Sequence, residues 1–315
     1  MRRSITLAIF AVAACLVALG VVKALVAWQT PSVPILTYRD VLRVRTQTRE
    51  APASNAPVLS PREFEANLVW LNEQGYESVT LDQVVAFVEG RRSLPPKPVA
   101  ITFDDGWEGV YRYAFPLLVK HKVKATVFVI ASQVQDPARR KPFMIDRLTM
   151  LDWRQLREMQ GSGIVDVESH TYDLHRVVRE GSVPADAPAA VAHLQTGGTT
   201  ESESAYRQRI GDDMASAERL FVAELGRKPR YLAWPFGAYS EQALQQAQAY
   251  GYRATLTTDF GVVYRGDDPL VLRRVSLSEH GEPDLGGSII EARYAPEIYS
   301  LKQSVKAATG AGNDP

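Results

Sequence analysis

A regular alternation of short apolar runs with helical patterns, between residues 33 and 277, constrains the fold more than any other feature of the chain. Eight runs have the length and composition of buried strands: residues 33–38, 77–80, 98–103, 125–130, 164–169, 231–234, 253–257 and 271–277. Strands that are apolar on both faces and separated by helices are typical of parallel sheets covered by helices. The sequence therefore predicts an α/β fold, a distorted (β/α) barrel of about seven to eight parallel strands in a single domain.

Capping residues mark the starts of several predicted helices. Residues 60–63 and 80–83 both have the spacing of a capping box, and Ser240 precedes a third helix. A longer helix is predicted for residues 204–225, because apolar residues recur along one stripe. Residues 176–203 lack sustained periodicity and are predicted to form a long excursion, of the kind that is functional or disordered.

The N-terminus has the pattern of an export signal. Arg2 and Arg3 precede an apolar run over residues 5–22, and Lys23 is followed by further apolar residues up to Trp28. Because a run of this length can span a bilayer, we predict an uncleaved membrane anchor, with a cleaved signal peptide as the first alternative. Cys15, the one cysteine, follows small residues as in a bacterial lipobox, so a lipoprotein is the second alternative.

The predicted division of the chain follows from these patterns. Residues 1–28 form the anchor or signal peptide, residues 29–285 form the barrel, and residues 286–315 form a peripheral C-terminal tail. The barrel is then extracytoplasmic, either periplasmic or at the cell surface, and is held at the inner membrane or secreted after cleavage. Lysines plus arginines equal aspartates plus glutamates at 36 each, so no overall field draws in nucleic acid or other polyanions.

The most informative motif ends the third predicted strand. Thr102-Phe-Asp-Asp-Gly106 places Asp104 and Asp105 at the exposed end of an apolar run, where α/β folds keep their chemistry. A simple turn is the alternative, since Asp and Gly are ordinary turn residues.

Two histidines follow another predicted strand. His170 comes directly after it, and His175 lies five residues further on. Two histidines and a carboxylate can form a metal site with positions left for water and substrate. We therefore predict a divalent cation, zinc in the first place, with cobalt, nickel or iron as alternatives.

An aromatic segment follows the strand predicted at residues 231–234. Trp234, Pro235, Phe236 and Tyr239 could stack on a sugar face, and the turn could offer backbone N–H groups to an oxyanion. Core packing of the same aromatic residues is the alternative.

Together these motifs resemble the polysaccharide deacetylases of carbohydrate esterase family four, the NodB-like deacetylases. TFDDG is similar to the first family motif, Ser169-His-Thr with His175 to the second, and Trp234-Pro-Phe-Gly to the aromatic-proline motif. The resemblance extends over about residues 33–277. It is strongest to the branch that deacetylates the poly-β-1,6-N-acetylglucosamine of bacterial biofilms, in which the motif order is circularly permuted.

The resemblance implies a hydrolase that removes N-acetyl groups from an acetylated polysaccharide outside the cytoplasm. Asp105, His170 and His175 would bind the metal, and Asp104 would be the base that takes a proton from a water activated by that metal. A backbone amide near Phe236 would stabilise the oxyanion. The implied partners are the polysaccharide, the inner membrane and the exopolysaccharide machinery of the cell envelope.

One residue departs from the family pattern. The first predicted strand ends in Tyr38-Arg39-Asp40, where the family has a histidine as general acid at the position of Arg39. Arginine stays protonated at any working pH and cannot transfer a proton. Three interpretations remain: an N-deacetylase in which water or another residue supplies the proton, with His280 as the candidate residue; an O-acetyl esterase, whose alkoxide leaving group needs an acid less; or a metal- and glycan-binding pseudoenzyme.

A second departure concerns the partner of Asp104. Many deacetylases outside this branch have an arginine two residues before the proline of the aromatic-proline motif, and this chain has Ala233 there. Arg273 and Arg274 are candidates for the group that orients Asp104.

Overall fold

Seven parallel strands close into a barrel. The computed structural model describes residues 30–42, 59–136, 144–145, 148–178, 182–184, 186–276 and 285–293. The barrel strands are β1 (Ile35–Tyr38), β2 (Pro98–Phe103), β3 (Ala125–Val129), β4 (Val165–Ser169), β5 (Tyr231–Ala233), β6 (Ala254–Phe260) and β7 (Leu272–Ser276). The strand order is β1-β7-β6-β5-β4-β3-β2, and β2 pairs again with β1. The predicted α/β barrel is confirmed.

The closed ring uses all but one of the predicted strands. The predicted strand at residues 77–80 is a short segment, Glu77–Ser78, that pairs with the start of β2 below the point where β1 joins it. Among the described residues, ten strands of two to four residues lie outside the ring, this one included, and form hairpins and edge pairs. The other nine are Ser32–Val33, Met144–Ile145, Leu148–Thr149, Val177–Val178, Ser182–Val183, Ala187–Pro188, His193–Thr196, Thr199–Thr200 and Val263–Tyr264.

Helices cover the outside of the ring and one of its ends. They are α1 (Pro61–Glu73), α2 (Leu81–Val88), α3 (Phe115–His121), α4 (Trp153–Gly161), α5 (Glu203–Leu225), α6 (Glu241–Ala249) and α7, residues 285–293. A π-helical turn, Val110–Ala114, leads into α3, and 3-10 turns cover Ala131–Gln133, Pro235–Gly237 and Pro269–Val271. The capping boxes predicted at residues 60–63 and 80–83 begin α1 and α2, which confirms both helix starts.

Alternation along the strands separates two cores. Leu36 of β1 packs with Phe64 of α1 and Leu156 of α4 in the core between barrel and helices. Ile35, the preceding residue of β1, packs instead with Ala100 and Phe128 in a second core that also includes α2. Because successive strand residues point to opposite faces, the second core fills the barrel interior, and α2 closes its amino end. The open end of the barrel is therefore the carboxyl end, where each strand leads into a loop.

Within the described part of the long predicted excursion, short antiparallel strands pair with one another and pack on α5. Arg209 of α5 donates hydrogen bonds to the carbonyl oxygens of Ala189 and Ala192, at 2.9 and 2.6 Å, and pairs with Glu201. The helix predicted for residues 204–225 is confirmed as α5, and its apolar stripe is buried as expected.

The structure describes one part of the predicted C-terminal tail. In α7, Leu285, Ile289 and Ala292 are at most 4% exposed and belong to the outer core, so these turns of the predicted tail pack on the barrel. The boundaries proposed from the sequence stay predictions. No helix among the described residues combines the length and apolar character needed to cross a bilayer, and the predicted anchor at residues 1–28 lies outside them.

Candidate metal centre at the carboxyl end of the barrel

The turn after β2 presents two neighbouring carboxylates at the open end of the barrel. β2 ends at Phe103, and Asp105 then has a left-handed backbone with φ 71°. Gly106 follows with φ 90°, and a Cβ atom there would lie 3.0 Å from a methyl carbon of Val129. Positive φ is uncommon for most residues, but Asp and Gly tolerate it. The Asp-Asp-Gly sequence therefore allows a sharp turn that directs adjacent carboxylates to different partners.

Three side chains with metal-binding atoms converge at this turn. Oδ1 of Asp105 lies 3.3 Å from Nε2 of His170 and 3.2 Å from Nε2 of His175. Ligand atoms held about 2.1 Å from one cation lie roughly 3.0 to 3.4 Å apart. Within the described ranges these residues are the one His, Cys, Asp or Glu group whose donor atoms, all within 4.8 Å, could hold an ion. The residues present therefore fit a divalent cation.

His170 is held in the tautomer that binds a metal. Its Nδ1 lies 2.8 Å from the carbonyl oxygen of Ala233. Because a carbonyl oxygen only accepts, Nδ1 carries the hydrogen, and the lone pair of the neutral imidazole lies on Nε2, which faces Asp105. Two lone-pair atoms at 3.3 Å repel each other unless a proton or a metal cation lies between them. The contact therefore marks a position for a positive charge.

The electrostatics of Asp105 favour its anionic form. The residue is 3% exposed, and burial alone would raise the pKa of its carboxyl. Where the imidazoles of His170 and His175 carry a second proton, their hydrogen bonds and positive charge outweigh burial and hold that pKa well below its usual range. A carboxylate that stays charged while buried is the form that a metal requires of this ligand.

The loop between the two histidines is fixed by a carboxylate of α5. Asp213 accepts hydrogen bonds from the backbone N–H groups of Tyr172 and Asp173, both at 2.8 Å. Burial raises the pKa of Asp213 to about 6, although these two donors oppose the shift. Asp213 therefore clamps the loop and determines where the chain delivers His175.

Asp104 has a different partner. Arg274 of β7 donates from Nη1 and Nη2 to the two carboxylate oxygens of Asp104, each at 2.8 Å. Arg274 is 2% exposed, and its Nε donates to the carbonyl oxygen of Thr257 at 2.7 Å. A guanidinium fork of this kind fixes both the position and the plane of a carboxylate. Of the two arginines considered from sequence, Arg274 orients Asp104, whereas Arg273 pairs with Asp267.

Arg39 binds the predicted metal ligand. Its Nε donates to Oδ2 of Asp105 at 2.8 Å, and Nε1 of Trp107 donates to the same oxygen at 3.0 Å. The two oxygens of Asp105 are therefore divided between Arg39 with Trp107 on one side and the histidines on the other. Asp105 would offer a cation one oxygen, Oδ1, and the charge of Arg39 would weaken that oxygen as a ligand.

Asp40, the neighbour of Arg39, is a buried carboxyl that the sequence reading did not include. It is 3% exposed, and burial raises its pKa to about 7, with a smaller contribution from the charge of Asp105. A Cβ atom on Gly109 would lie 2.2 Å from Oδ1 of Asp40, so only glycine fits there. At neutral pH this carboxyl is partly protonated and competes little with Asp105 for Arg39.

The aromatic segment divides into a buried and an exposed part, which corrects one prediction. Trp234 is fully buried, and its Nε1 donates to Oγ1 of Thr255 at 3.0 Å, so this ring cannot stack on a sugar. Pro235 is buried as well. Phe236 is 46% exposed, and its ring centroid lies 4.5 Å from that of His175. Tyr239 is half-buried against Trp234, with ring centroids 6.5 Å apart.

The conformation of Phe236 exposes its backbone as well as its ring. The residue has φ 57°, and its N–H has no hydrogen-bond partner in the described part of the chain. A Cβ atom on Gly237 would lie 2.0 Å from Oγ1 of Thr258, so the turn requires glycine at that position. The loop therefore holds a donor and an exposed ring beside the histidines.

Several sequence-predicted residues come together, and some positioning residues were missed. Asp104, Asp105, His170, His175, Arg39 and Phe236 share one end of the barrel, while His280 lies outside the described residues. Asp213 was not predicted, although an acidic residue on the apolar stripe of α5, next to Met214, was a signal. Trp107 was missed because an indole near two aspartates has no distinctive sequence pattern.

Three comparisons relate this arrangement to known proteins. The sequence profile described as polysaccharide deacetylase matches residues 91–255. The poly-β-1,6-N-acetyl-D-glucosamine N-deacetylase of Escherichia coli strain K12 is 28% identical over 199 residues, which are 61% of this chain and 30% of that protein. The matched segment therefore spans less than a third of the length of that relative.

Two solved structures share the fold over most of their length. IcaB of Ammonifex degensii is 30% identical with a TM-score of 0.66, covering 82% of this chain and 97% of its own. A de-N-acetylase of Aggregatibacter actinomycetemcomitans is 25% identical with a TM-score of 0.67, covering 78% and 94%.

Proposed function

This chain belongs to the polysaccharide deacetylase family, and from that premise we propose that it hydrolyses N-acetyl groups of a polysaccharide similar to poly-β-1,6-N-acetylglucosamine. The proposal rests on two adjacent carboxylates, Asp104 and Asp105, that have different partners. Asp105 faces His170 and His175 with one oxygen, and Asp104 is held by the fork of Arg274. One carboxylate is placed to bind a cation and the other to move a proton.

Asp105, His170 and His175 would hold the divalent cation, for which we propose zinc. When bound, such a cation acts as a Lewis acid that makes water more acidic and polarises a carbonyl group. Asp104 accepts the proton of the attacking water. Arg274 fixes both carboxylate oxygens in position and, as a guanidinium, cannot accept that proton in place of Asp104. Arg274 keeps the carboxylate in one plane and adds a compensating positive charge.

The loop after β5 supports the carbonyl group under attack. The water oxygen bonds to the acetamide carbon, and negative charge moves to the carbonyl oxygen. The free N–H of Phe236 can donate to that oxygen, and its exposed ring can contact the sugar. The carbon–nitrogen bond then breaks, acetate leaves, and the sugar nitrogen needs a proton.

That proton cannot come from Arg39. A guanidinium paired with Asp105 stays charged throughout the working pH range. Protonation by solvent or by His280 is therefore part of the proposal for N-deacetylation. A second candidate function is supported by the same residue: an O-acetyl esterase releases an alkoxide, which needs an acid less, and the charge of Arg39 can stabilise it.

The cellular setting is proposed on the N-terminal sequence and on the relatives. We place the barrel outside the cytoplasm, in the periplasm or at the cell surface, with residues 1–28 as a membrane anchor. The named substrate of the Escherichia coli relative supports a biofilm polysaccharide as the substrate. Envelope exopolysaccharide machinery would then deliver the polymer.

Acetate release by the purified full chain tests the function. We expect release from acetylated glucosamine oligomers in the presence of Zn²⁺ or Co²⁺, and little from O-acetylated glycans. The reverse preference would support the esterase, and no acetate from either substrate would contradict both and leave a glycan-binding protein. Arg39→His should raise N-deacetylation by roughly 10²-fold, the contribution of a general acid, and Arg62→His on α1 is the matched control.

A further inference from the structure

A basic cleft lies at the amino end of the barrel, opposite the metal centre. Two cavities of about 250 Å³ and about 290 Å³ share Ser32, Pro96, Pro98 and Arg293 as lining residues. Together they form what we call the amino-end cleft. Pro98 begins β2, and the six residues of β2 span roughly 20 Å, so the cleft lies about that far from Asp104 and Asp105.

The lining of the cleft combines positive charge with apolar surface. Lys97, Arg265 and Arg293 line it, and no described lining residue is acidic. Phe87 and Leu94 contribute apolar surface. The guanidinium of Arg265 is braced, because it lies 5.1 Å from the ring centroid of Phe87 and Nη2 donates to the carbonyl oxygen of Arg92 at 2.9 Å. Such a lining suits a ligand with one anionic and one apolar part.

Two arginines supply groups that can bind a phosphate. Arg265 lines the first cavity, and Arg293 lines both. Guanidinium groups bind phosphate oxygens by paired N–H donors.

The position of the cleft in the chain identifies the source of the phosphate. Thr30 lines the cleft, and Trp28, the last residue of the predicted membrane segment, is two residues away, or about 7 Å at full extension. The headgroup layer of a bilayer is itself roughly 5 to 7 Å thick. We propose that the amino-end cleft binds the phosphodiester headgroup of an anionic membrane lipid, which rests on the membrane attachment proposed above.

The bound lipid would orient the enzyme. With the amino ends of β1 and β2 against the bilayer, the carboxyl ends that carry Arg39 and Asp105 face away from it. A polymer outside the membrane then meets the metal centre directly. The anchor alone would not fix the orientation of the barrel relative to the membrane.

Binding of a short-chain lipid tests the proposal. The full chain, kept in neutral detergent, is titrated with dihexanoyl phosphatidylglycerol below its micelle-forming concentration, and binding is followed by phosphorus NMR. Dihexanoyl phosphatidylcholine and glycerol 3-phosphate are the comparison ligands. We expect phosphatidylglycerol to bind at least about tenfold more tightly than either, because it alone combines net negative charge with acyl chains.

Variants assign the binding to the cleft. Arg265→Gln with Arg293→Gln should weaken binding of phosphatidylglycerol by roughly 10²-fold, about tenfold for each lost charged contact. The matched control is Arg91→Gln with Arg92→Gln, which removes the same charge nearby without changing the lining. Its binding should change by less than about twofold. If the double variant unfolds, as circular dichroism would show, the single variant Arg265→Gln replaces it.

Other outcomes overturn the proposal. Equal affinity for phosphatidylcholine removes the anionic headgroup as the ligand, and equal affinity for glycerol 3-phosphate indicates a soluble phosphate compound. If the control pair loses as much affinity for phosphatidylglycerol as the cleft variant, binding depends on the overall charge of this face and not on the cleft. Acetate release is measured on the same samples: if it is intact while lipid binding fails, the cleft proposal fails and the proposed function stands.

Discussion

The two ends of the barrel both pair buried carboxylates with arginines, but they use the pairs differently. At the amino end, Asp166 and Glu168 of β4 face Arg227 and Arg230, and all four oxygens of the two carboxylates accept hydrogen bonds from protein donors. At the carboxyl end, Oδ1 of Asp105 faces two imidazole nitrogens with no donor fixed between them. A saturated cluster stabilises a fold, whereas an unsaturated one has capacity left for an ion.

Acidic residues alone therefore do not identify a site. Asp82 of α2 extends the amino-end cluster, since it accepts from the hydroxyl of Tyr231 at 2.7 Å and pairs with Arg230 and Arg253. Its oxygens too are fully used. The carboxyl end differs because acceptor atoms of Asp105, His170 and His175 converge there without a fixed donor between them. Four substitutions test that distinction.

The largest effect is expected at Asp104. Asp104→Asn keeps the size of the side chain but removes the proton acceptor, so acetate release should fall by roughly 10²- to 10⁴-fold. Asp82→Asn makes the same chemical change at the other end and should leave the rate within about twofold. Steady-state kinetics on both variants checks this, and equal loss of rate would erase the proposed difference between the ends.

Arg274→Gln should have the next largest effect. It removes the fork that orients Asp104, and misplacement of a reacting group costs roughly 10²-fold in rate. The loss should appear in kcat rather than in KM, because Arg274 is 2% exposed. Arg273→Gln is the adjacent control. If both variants lose activity alike, Arg274 has no special positioning role.

A smaller effect is expected at Asp213. Asp213→Asn replaces one of its two acceptor oxygens with a donor, so one N–H of the loop before His175 loses its partner. Metal affinity should fall by roughly tenfold, the lower end of what supporting residues contribute. Isothermal titration with Zn²⁺ measures this, with exposed Asp212→Asn on the same helix as control. Unchanged affinity would show that the loop is held by other contacts.

The smallest effect is expected in stability at the amino end. Burial alone would raise the pKa of Asp82. Hydrogen bonds from Tyr231, Arg230 and Arg253, together with the charge of Arg230, outweigh burial and lower that pKa below its usual value. A group with a depressed pKa in the folded state stabilises the protein above its unfolded pKa, and this stabilisation is lost as the pH falls through about 4 and below. The Asp82 side chain is 41% exposed, and solvent screens its ion pairs, so Asp82→Asn should cost at most about 1 kcal/mol at pH 7 and progressively less towards pH 3.

Urea unfolding at pH 7 and at pH 3 measures the free energy of unfolding of the Asp82→Asn variant and of the unchanged chain. A difference that is the same at pH 7 and pH 3 would mean that the charge of Asp82 contributes nothing.

The barrel could be predicted because its signals are local. Apolar strands, capping boxes and the apolar stripe of α5 are each formed by residues that are close in sequence, and the structure confirms them. The shared position of the two aspartates and the two histidines followed from the same reasoning, since parallel strands bring their carboxyl ends together. The choice of Asp105 as the ligand came from the family resemblance.

The partners of the site residues could not be predicted, because they depend on distant contacts. Arg274 lies 170 residues from Asp104, and only the register of β7 selects it over Arg273. Trp234 was expected at the surface, but the strand alternation and Thr255 place its ring in the core. Arg39 was recognised as a departure, but its bond to Asp105 requires the pairing of β1 with β2.

Metal content of the purified full chain tests the account most directly. The unchanged chain and the control His193→Ala, whose histidine lies in the hairpins on α5, should each retain about one divalent cation after dialysis, measured by mass spectrometry. His170→Ala should retain less than about a tenth of that amount, because the site loses a ligand fixed by Ala233. Equal metal content in His170→Ala and the unchanged chain, or none in either, would contradict a metal centre at the carboxyl end.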